Sequence, residues 1–357
     1  MKYWLARNKV MIFLLMILVI LFNGCNKTYS IKSNSSVDAA NKNSAADGSG
    51  TSSDLSKEMD EFYQAWNQEQ IKLSDNAFVN YYYLIRDKSD TLLIYLEGSG
   101  DQSVMGVKEG GIWIRGGNPY SFAKKRFPDY DFLTMDNVNV TMGGDHFMDP
   151  AVTNEYTFDN RVKSAVTVID TFLNNSKKNY KDVIIFGISQ GGQILPRVYL
   201  SLQRKNDITK LIALGSGGLS QYEDFMILKD SDLPMEPGFK EGYAAIEEAY
   251  PDIQKHPDSV ERQYFGYSYK MWHGFLNYKP LDDYMNIDIP ILLLHGAKDF
   301  NSSVESARAV ETEFKAAGKI NLKYIEYPDM GHGPESKEQS EQLFGDINNW
   351  LEENNTN

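Results

Sequence analysis

The chain has 357 residues, 42% of them apolar, with 22 Tyr and 18 Phe. That is enough to bury a sizeable core in one large domain with a smaller lobe. Basic residues number 36 against 49 acidic, a net charge of −13, and so acidic a chain gives no reason to expect nucleic acid as a partner. The single cysteine, Cys25, excludes an internal disulfide.

The chain opens with Lys2, Arg7 and Lys9 ahead of an apolar run, VMIFLLMILVILF, from Val10 to Phe22. The run is short for a membrane-spanning helix, which needs about 20 residues, and suits a secretory signal. The residues that close it, Leu21-Phe22-Asn23-Gly24-Cys25, resemble a bacterial lipobox, with Phe22 and Asn23 the less usual members. The resemblance implies cleavage after Gly24 and a lipid on the Cys25 sulfur that ties the protein to the membrane. A plain signal peptide and an uncleaved anchor are the other two readings, and all three place the rest of the chain outside the cytoplasm. Removal of residues 1–24 takes away three basic residues and moves the net charge from −13 to −16. Residues 26–54 are almost all Ser, Asn, Asp, Ala, Gly and Lys and cannot bury enough apolar surface to offset ordering. A flexible tether of that length spans about 30 Å r.m.s..

Leu55, Met59, Phe62, Tyr63 and Trp66 recur at helical spacing and predict a helix over 55–70. FVNYYYLIR (78–86) and TLLIYLEG (91–98), parted by Asp87, Lys88, Ser89 and Asp90, read as a hairpin. YDFLTMD (130–136) is a short buried strand. Val162, Ala165, Val166, Ile169, Phe172 and Leu173 mark an amphipathic helix over 158–175. DVIIFG (182–187) is a strand that runs into the helix QGGQILPRVYLSLQRK (190–205), which Pro196 should kink or divide. Strands at 208–217 and 289–299, a helix ended by Gly318, a strand at 321–328 and a last helix at 337–353 complete the order. Apolar runs alternating with amphipathic helices predict a mostly parallel sheet covered on both faces. Nearly 70 residues, 219–286, separate two of its strands and are rich in Tyr and Phe. A structureless loop of that length is improbable, so the stretch reads as an inserted, mostly helical cap. The expected organisation is a signal peptide (1–24), a tether (25–54), a core in two parts (55–218 and 287–357) and the cap (219–286).

Ser189 sits in Gly187-Ile188-Ser189-Gln190-Gly191, between a buried strand and a helix. A serine hydroxyl needs a base within reach and donors that await an oxyanion. A sharp strand-to-helix turn lifts Oγ clear of the backbone, and small residues two positions away allow the turn. Ser189 is equally able to cap the helix. Among the five histidines, His332 in YPDMGHG lies in a loop between the last strand and the last helix. His295 ends a strand and reads as buried and structural; His256 and His273 fall in the cap, and His146 in a GGDHFMD loop. Asp299 ends LLLHGAKD, where it either caps the following helix or orients an imidazole. Ser189, Asp299 and His332 each fall at the carboxyl end of a predicted strand, where crevices form in open sheets.

GISQGG, LLLHGAKD and YPDMGHG, in that order and at those strand ends, resemble the α/β-hydrolase superfamily over roughly residues 75–353. The resemblance implies an α/β-hydrolase fold with a helical cap inserted after the sixth strand. It implies Ser189 as nucleophile, His332 as base and acid, and Asp299 as orienting carboxylate. It also implies an oxyanion hole from the amides of Gln190 and Ser99, with Gly100 the alternate; Glu97-Gly98 stands where the family often has His-Gly. The expected activity is carboxylic-ester hydrolysis on a small-molecule substrate. Serine peptidase action on short peptides, a catalytically silent binding lipoprotein and acyl transfer to an alcohol are the rivals. No metal or organic cofactor is called for: metal-ligand, dinucleotide and P-loop signatures are not found.

Overall fold

A computed structural model describes residues 61, 64–105, 108–109, 112–113, 119, 121–142, 149–235 and 237–354. The signal segment, Cys25, the tether and His146 lie outside the described residues. Eight strands form one sheet: β1 (Asn67–Lys72), β2 (Phe78–Leu84), β3 (Thr91–Leu96), β4 (Asp131–Met135), β5 (Asp182–Ile188), β6 (Lys210–Leu214), β7 (Ile291–Gly296) and β8 (Leu322–Tyr327). Their spatial order is β1-β2-β4-β3-β5-β6-β7-β8. β1 with β2 and β2 with β4 run antiparallel; every later pairing is parallel.

The central strands are apolar on both faces because both are covered. Leu92 and Ile94 of β3 and Val183 and Ile185 of β5 join one core with helices α1 (Phe158–Asn175) and α2 (Gln190–Ser201). Leu93, Tyr95, Ile184 and Phe186 point the other way, into a second core. That core is closed by the helical turn at 121–126 and by the last helix of the chain.

Between β6 and β7 the chain makes α3 (Gln221–Asp230), α4 (Pro237–Lys255), α5 (Tyr269–Asn277) and α6 (Pro280–Tyr284). A two-residue ladder, Gln263–Tyr264 with Tyr267–Ser268, interrupts them. Ser220 and Glu223 form a reciprocal capping box on α3, which fixes where the insertion begins. Phe275, Leu276 and Tyr284 are fully buried in the same core as β3 and β5, so α5 and α6 are built into the main body. α7 (Val304–Ala316) follows β7 and α8 (Lys337–Glu353) closes the chain. Gly318, at φ +68°, ends the run after α7.

Three expectations are corrected. The segment 78–86/91–98 is not a hairpin: β4 lies between its strands, antiparallel to β2 (Tyr81 opposite Met135) and parallel to β3 (Leu92 beside Asp131). Phe132 and Leu133 of β4 are fully buried, and a strand apolar on both faces belongs inside the sheet. The hairpin partner of β2 is β1, so the helix expected through residue 70 stops short and Asn67–Lys72 is an edge strand. Tyr81 and Tyr83 donate to the Glu69 carboxylate and Gln70 Nε2 donates to Asn80 Oδ1, cross-strand bonds that override local helical spacing. Finally, Pro196 does not divide its helix: α2 runs continuously through it.

Candidate active site

β5 delivers Ser189 into a backbone conformation of φ 54° and ψ −122°, a region that costs a non-glycine residue about 1–3 kcal/mol. The turn closes only because its neighbours lack side chains. A Cβ on Gly191 would lie 2.2 Å from the Leu96 carbonyl oxygen, and one on Gly187 would lie 2.6 Å from that of Gly191. Ser189 occupies the N-cap position of α2, yet its side chain makes no capping hydrogen bond. The capping alternative is thereby set aside, and Oγ is left available.

Asp299 follows β7 and is fully buried. Its Oδ1 accepts from the backbone N–H groups of Asn301 (2.7 Å) and Ser302 (3.1 Å), and its Oδ2 faces His332 Nδ1 at 2.7 Å. The helix that follows takes its cap from Ser303 instead. A carboxylate opposite Nδ1 selects the tautomer with the proton there and leaves Nε2 as the basic nitrogen. Burial alone would raise the Asp299 carboxyl; the His332 ring, by charge and hydrogen bond, brings it net below its ordinary value. Burial pulls the His332 imidazole down, and Asp299 reverses this to a net rise above 6.5.

The Ser189 N–H donates to the Leu214 carbonyl (2.8 Å), and the next residue, Gly215, underlies the imidazole: its Cβ would sit 3.2 Å from His332 Cε1. His332 Nε2 is buried and has no hydrogen-bond partner among the described residues. The Ser189–His332 link is therefore open in this structure, a common state before substrate is bound.

The loop after β3 passes beside the nucleophile; a Cβ on Gly98 would meet Ser189 Cβ at 3.3 Å and Oγ at 3.7 Å. Two of its amides are occupied. Gly98 N–H donates to Glu97 Oε1 (2.9 Å) and Gly100 N–H to Tyr156 Oη (3.4 Å). The Ser99 and Gln190 amides donate no hydrogen bond among the described residues, the condition an oxyanion donor must meet. The first turn of α2 adds the positive end of its dipole.

Two of the other described histidines have contacts of their own. His295 is fully buried, with Nε2 3.8 Å from Asp299 Oδ2, and burial lowers its basicity. His256 pairs loosely with Asp252 in the cap, at 3.7 Å. Among the described residues no cluster of His, Cys, Asp and Glu could hold a metal ion.

Two buried groups near this site carry no sequence motif. Asp224 on α3 accepts from Ser302 Oγ (3.2 Å), and burial raises its carboxyl well above its ordinary value. Arg161, in the first turn of α1, is 5% exposed. Its only signal is a cation on the helix stripe that Ala165, Val168 and Phe172 share.

Solved structures of similar architecture include the Pyrococcus furiosus esterase Pf2001, at 14% identity and TM-score 0.52, over 87% of this chain and 95% of that one. A lipase in its open form matches at 11% identity and TM-score 0.55, over 82% of this chain and 100% of that one. The strand order, the strained serine after β5 and these likenesses agree. The fold is that of the α/β-hydrolases. Within that α/β-hydrolase fold, the Pyrococcus horikoshii acylaminoacyl peptidase matches at 14% identity and TM-score 0.53, over 83% of this chain and 42% of that one. The profile of the prolyl oligopeptidase family matches residues 251–357, a stretch that begins within α4 of the insertion and takes in Asp299 and His332. No curated protein matches the sequence.

Proposed function

We propose that the protein is a serine hydrolase that cleaves carboxylic esters through an acyl-enzyme on Ser189, held outside the cytoplasm by a lipid on Cys25. The observation that carries the chemistry is the strained Ser189, without a capping bond and with its N–H on Leu214, beside the Gly215 that underlies His332, in an Asp299–His332 pair whose Nε2 has no partner among the described residues. His332 Nε2 takes the Ser189 proton as Oγ attacks the substrate carbonyl carbon. The amides of Ser99 and Gln190 receive the oxyanion, and His332 returns the proton to the leaving alkoxide. Water, deprotonated by the same nitrogen, then attacks the acyl carbon and frees Ser189.

A second reading, peptidase action on short peptides, is supported by the prolyl oligopeptidase profile over residues 251–357. The two share every step up to the leaving group. A panel of short acyl esters and aminoacyl amides, run beside Ser189→Ala, tests both. Turnover of esters, covalent labelling of Ser189 by a fluorophosphonate and a loss of about 10⁶ in kcat in the variant are expected. Turnover of amides alone would move the assignment to the peptidase. No labelling of well-folded protein, with the variant indistinguishable from wild type, would leave a binding protein of this fold.

A further inference from the structure

Arg161 is a buried cation in the first turn of α1, where the helix dipole disfavours positive charge. Among the described residues no carboxylate pairs with it. Its hydrogen bonds go to the loop after β3, to the side chain of the residue next to Ser189 and to Tyr156. Nη2 donates to the Glu97 carbonyl (2.8 Å). Nη1 donates to the Gly98 carbonyl (2.9 Å), to Gln190 Oε1 (2.8 Å) and to Tyr156 Oη (2.8 Å). Tyr156 Oη in turn donates to Gln190 Oε1 and receives the Gly100 N–H. An unpaired buried charge is costly, so its retention calls for a role that an apolar residue could not fill.

The geometry of one peptide unit supplies that role. The Gly98 carbonyl and the Ser99 N–H belong to the same planar, trans peptide, so they point in opposite directions. A guanidinium that holds the carbonyl on the α1 side turns the amide hydrogen to the other side. A cationic donor on the carbonyl also polarises the peptide and strengthens its N–H as a donor. The same guanidinium grips the side chain of Gln190, whose backbone amide is the second donor. One planar fork thus ties both walls of the oxyanion hole together, a task the point charge of a lysine does not perform.

We propose that Arg161 is the positioning residue of the oxyanion hole: it sets the direction and donor strength of the Ser99 amide and its spacing from that of Gln190. The inference rests on the hydrolase reading above. Arg161 touches neither substrate nor reacting atoms, and it acts through the Gly98–Ser99 peptide.

The test compares wild type, Arg161→Lys and Arg161→Met on one ester, with active sites counted by fluorophosphonate titration. Expected is a fall in kcat per titrated site of about 10²–10³ for the methionine variant, the range for loss of one oxyanion donor, with KM nearly unchanged. The lysine variant should fall between the two. The acid limb of the pH profile should not move, because His332 and Asp299 are untouched. The inhibition constant of a boronic acid, which presents a tetrahedral anion, should weaken in step with kcat. If the methionine variant does not fold, the lysine variant decides alone: a tenfold or greater loss of kcat at an unchanged melting temperature supports the inference. Wild-type kcat per titrated site in a folded variant, or a lower count of sites with normal kcat, overturns it and leaves the serine hydrolase intact. No labelling of wild-type Ser189 overturns both.

Discussion

Asp299 is fully buried yet stays ionised, because two backbone amides and the His332 ring surround its two oxygens. The same carboxylate raises His332 above 6.5 against the opposing pull of burial. In the proposed mechanism the base must be neutral to accept the Ser189 proton, so acid would inactivate by protonating it. The profile of kcat/KM should therefore fall towards low pH with a midpoint above 6.5. Asp299→Asn removes the upward pull and favours the wrong tautomer, so the midpoint should move down and kcat should fall by about 10⁴. A wild-type midpoint below 6.5, or one the variant does not shift, would contradict this electrostatic account. The proposed roles of Ser189, Asp299 and His332 could be drawn from the sequence because acyl transfer demands those residue types at strand ends. That of Arg161 could not, because three of its partners are carbonyl-type oxygens distant along the chain and the fourth is a nearby phenol. A lone arginine on an apolar stripe names no such partner.

Buried strands announce themselves by composition, but their neighbours do not. TLLIYL and DVIIFGI read as covered on both faces, and they are adjacent and parallel in the sheet. The insertion of β4 between β2 and β3 leaves no local trace, since Asp87–Asp90 is short enough for a hairpin and polar enough for one. β1 was hidden for the reverse reason: NQEQIK is polar and mostly exposed, as suits an edge strand, and carries no period-2 apolar pattern. The turn from β5 into α2 was readable because its glycines face backbone. Gly191→Ala would place a methyl group 2.2 Å from the Leu96 oxygen and 2.6 Å from that of Glu97. Neither atom can rotate away, so α2 must shift off β3 at a cost of about 1–3 kcal/mol or more, and Ser189 would be carried with it. Gly333, beside His332, has nothing within 4 Å of its Cβ, and Gly333→Ala serves as the matched control. Thermal melts and ester turnover should both drop for the first and stay near wild type for the second. Equal behaviour of the two would mean that close packing of α2 on β3 does not hold the serine in place.

The whole chain combines an acidic composition with an N-terminal segment that reads as a lipid attachment signal. Its net charge of −13 becomes −16 once residues 1–24 are removed, and anionic headgroups repel a body of that sign. Among the described residues no helix is long and apolar enough to cross a membrane. The proposed lipid on Cys25 would hold the protein at a membrane with about 0.8 kcal/mol per buried CH₂, working against electrostatic repulsion rather than with it. Cys25→Ser should shift the expressed protein from the membrane fraction to the soluble extracytoplasmic fraction. Raising the salt concentration should not wash the wild type off, since screening weakens the repulsion. The released variant should hydrolyse a soluble ester with wild-type kcat and KM, because the proposed machinery lies wholly within residues 98–332, remote in sequence from Cys25. Membrane retention of Cys25→Ser would point to an uncleaved apolar segment as the anchor, whereas secretion of the wild type into the soluble fraction would leave a plain signal peptide.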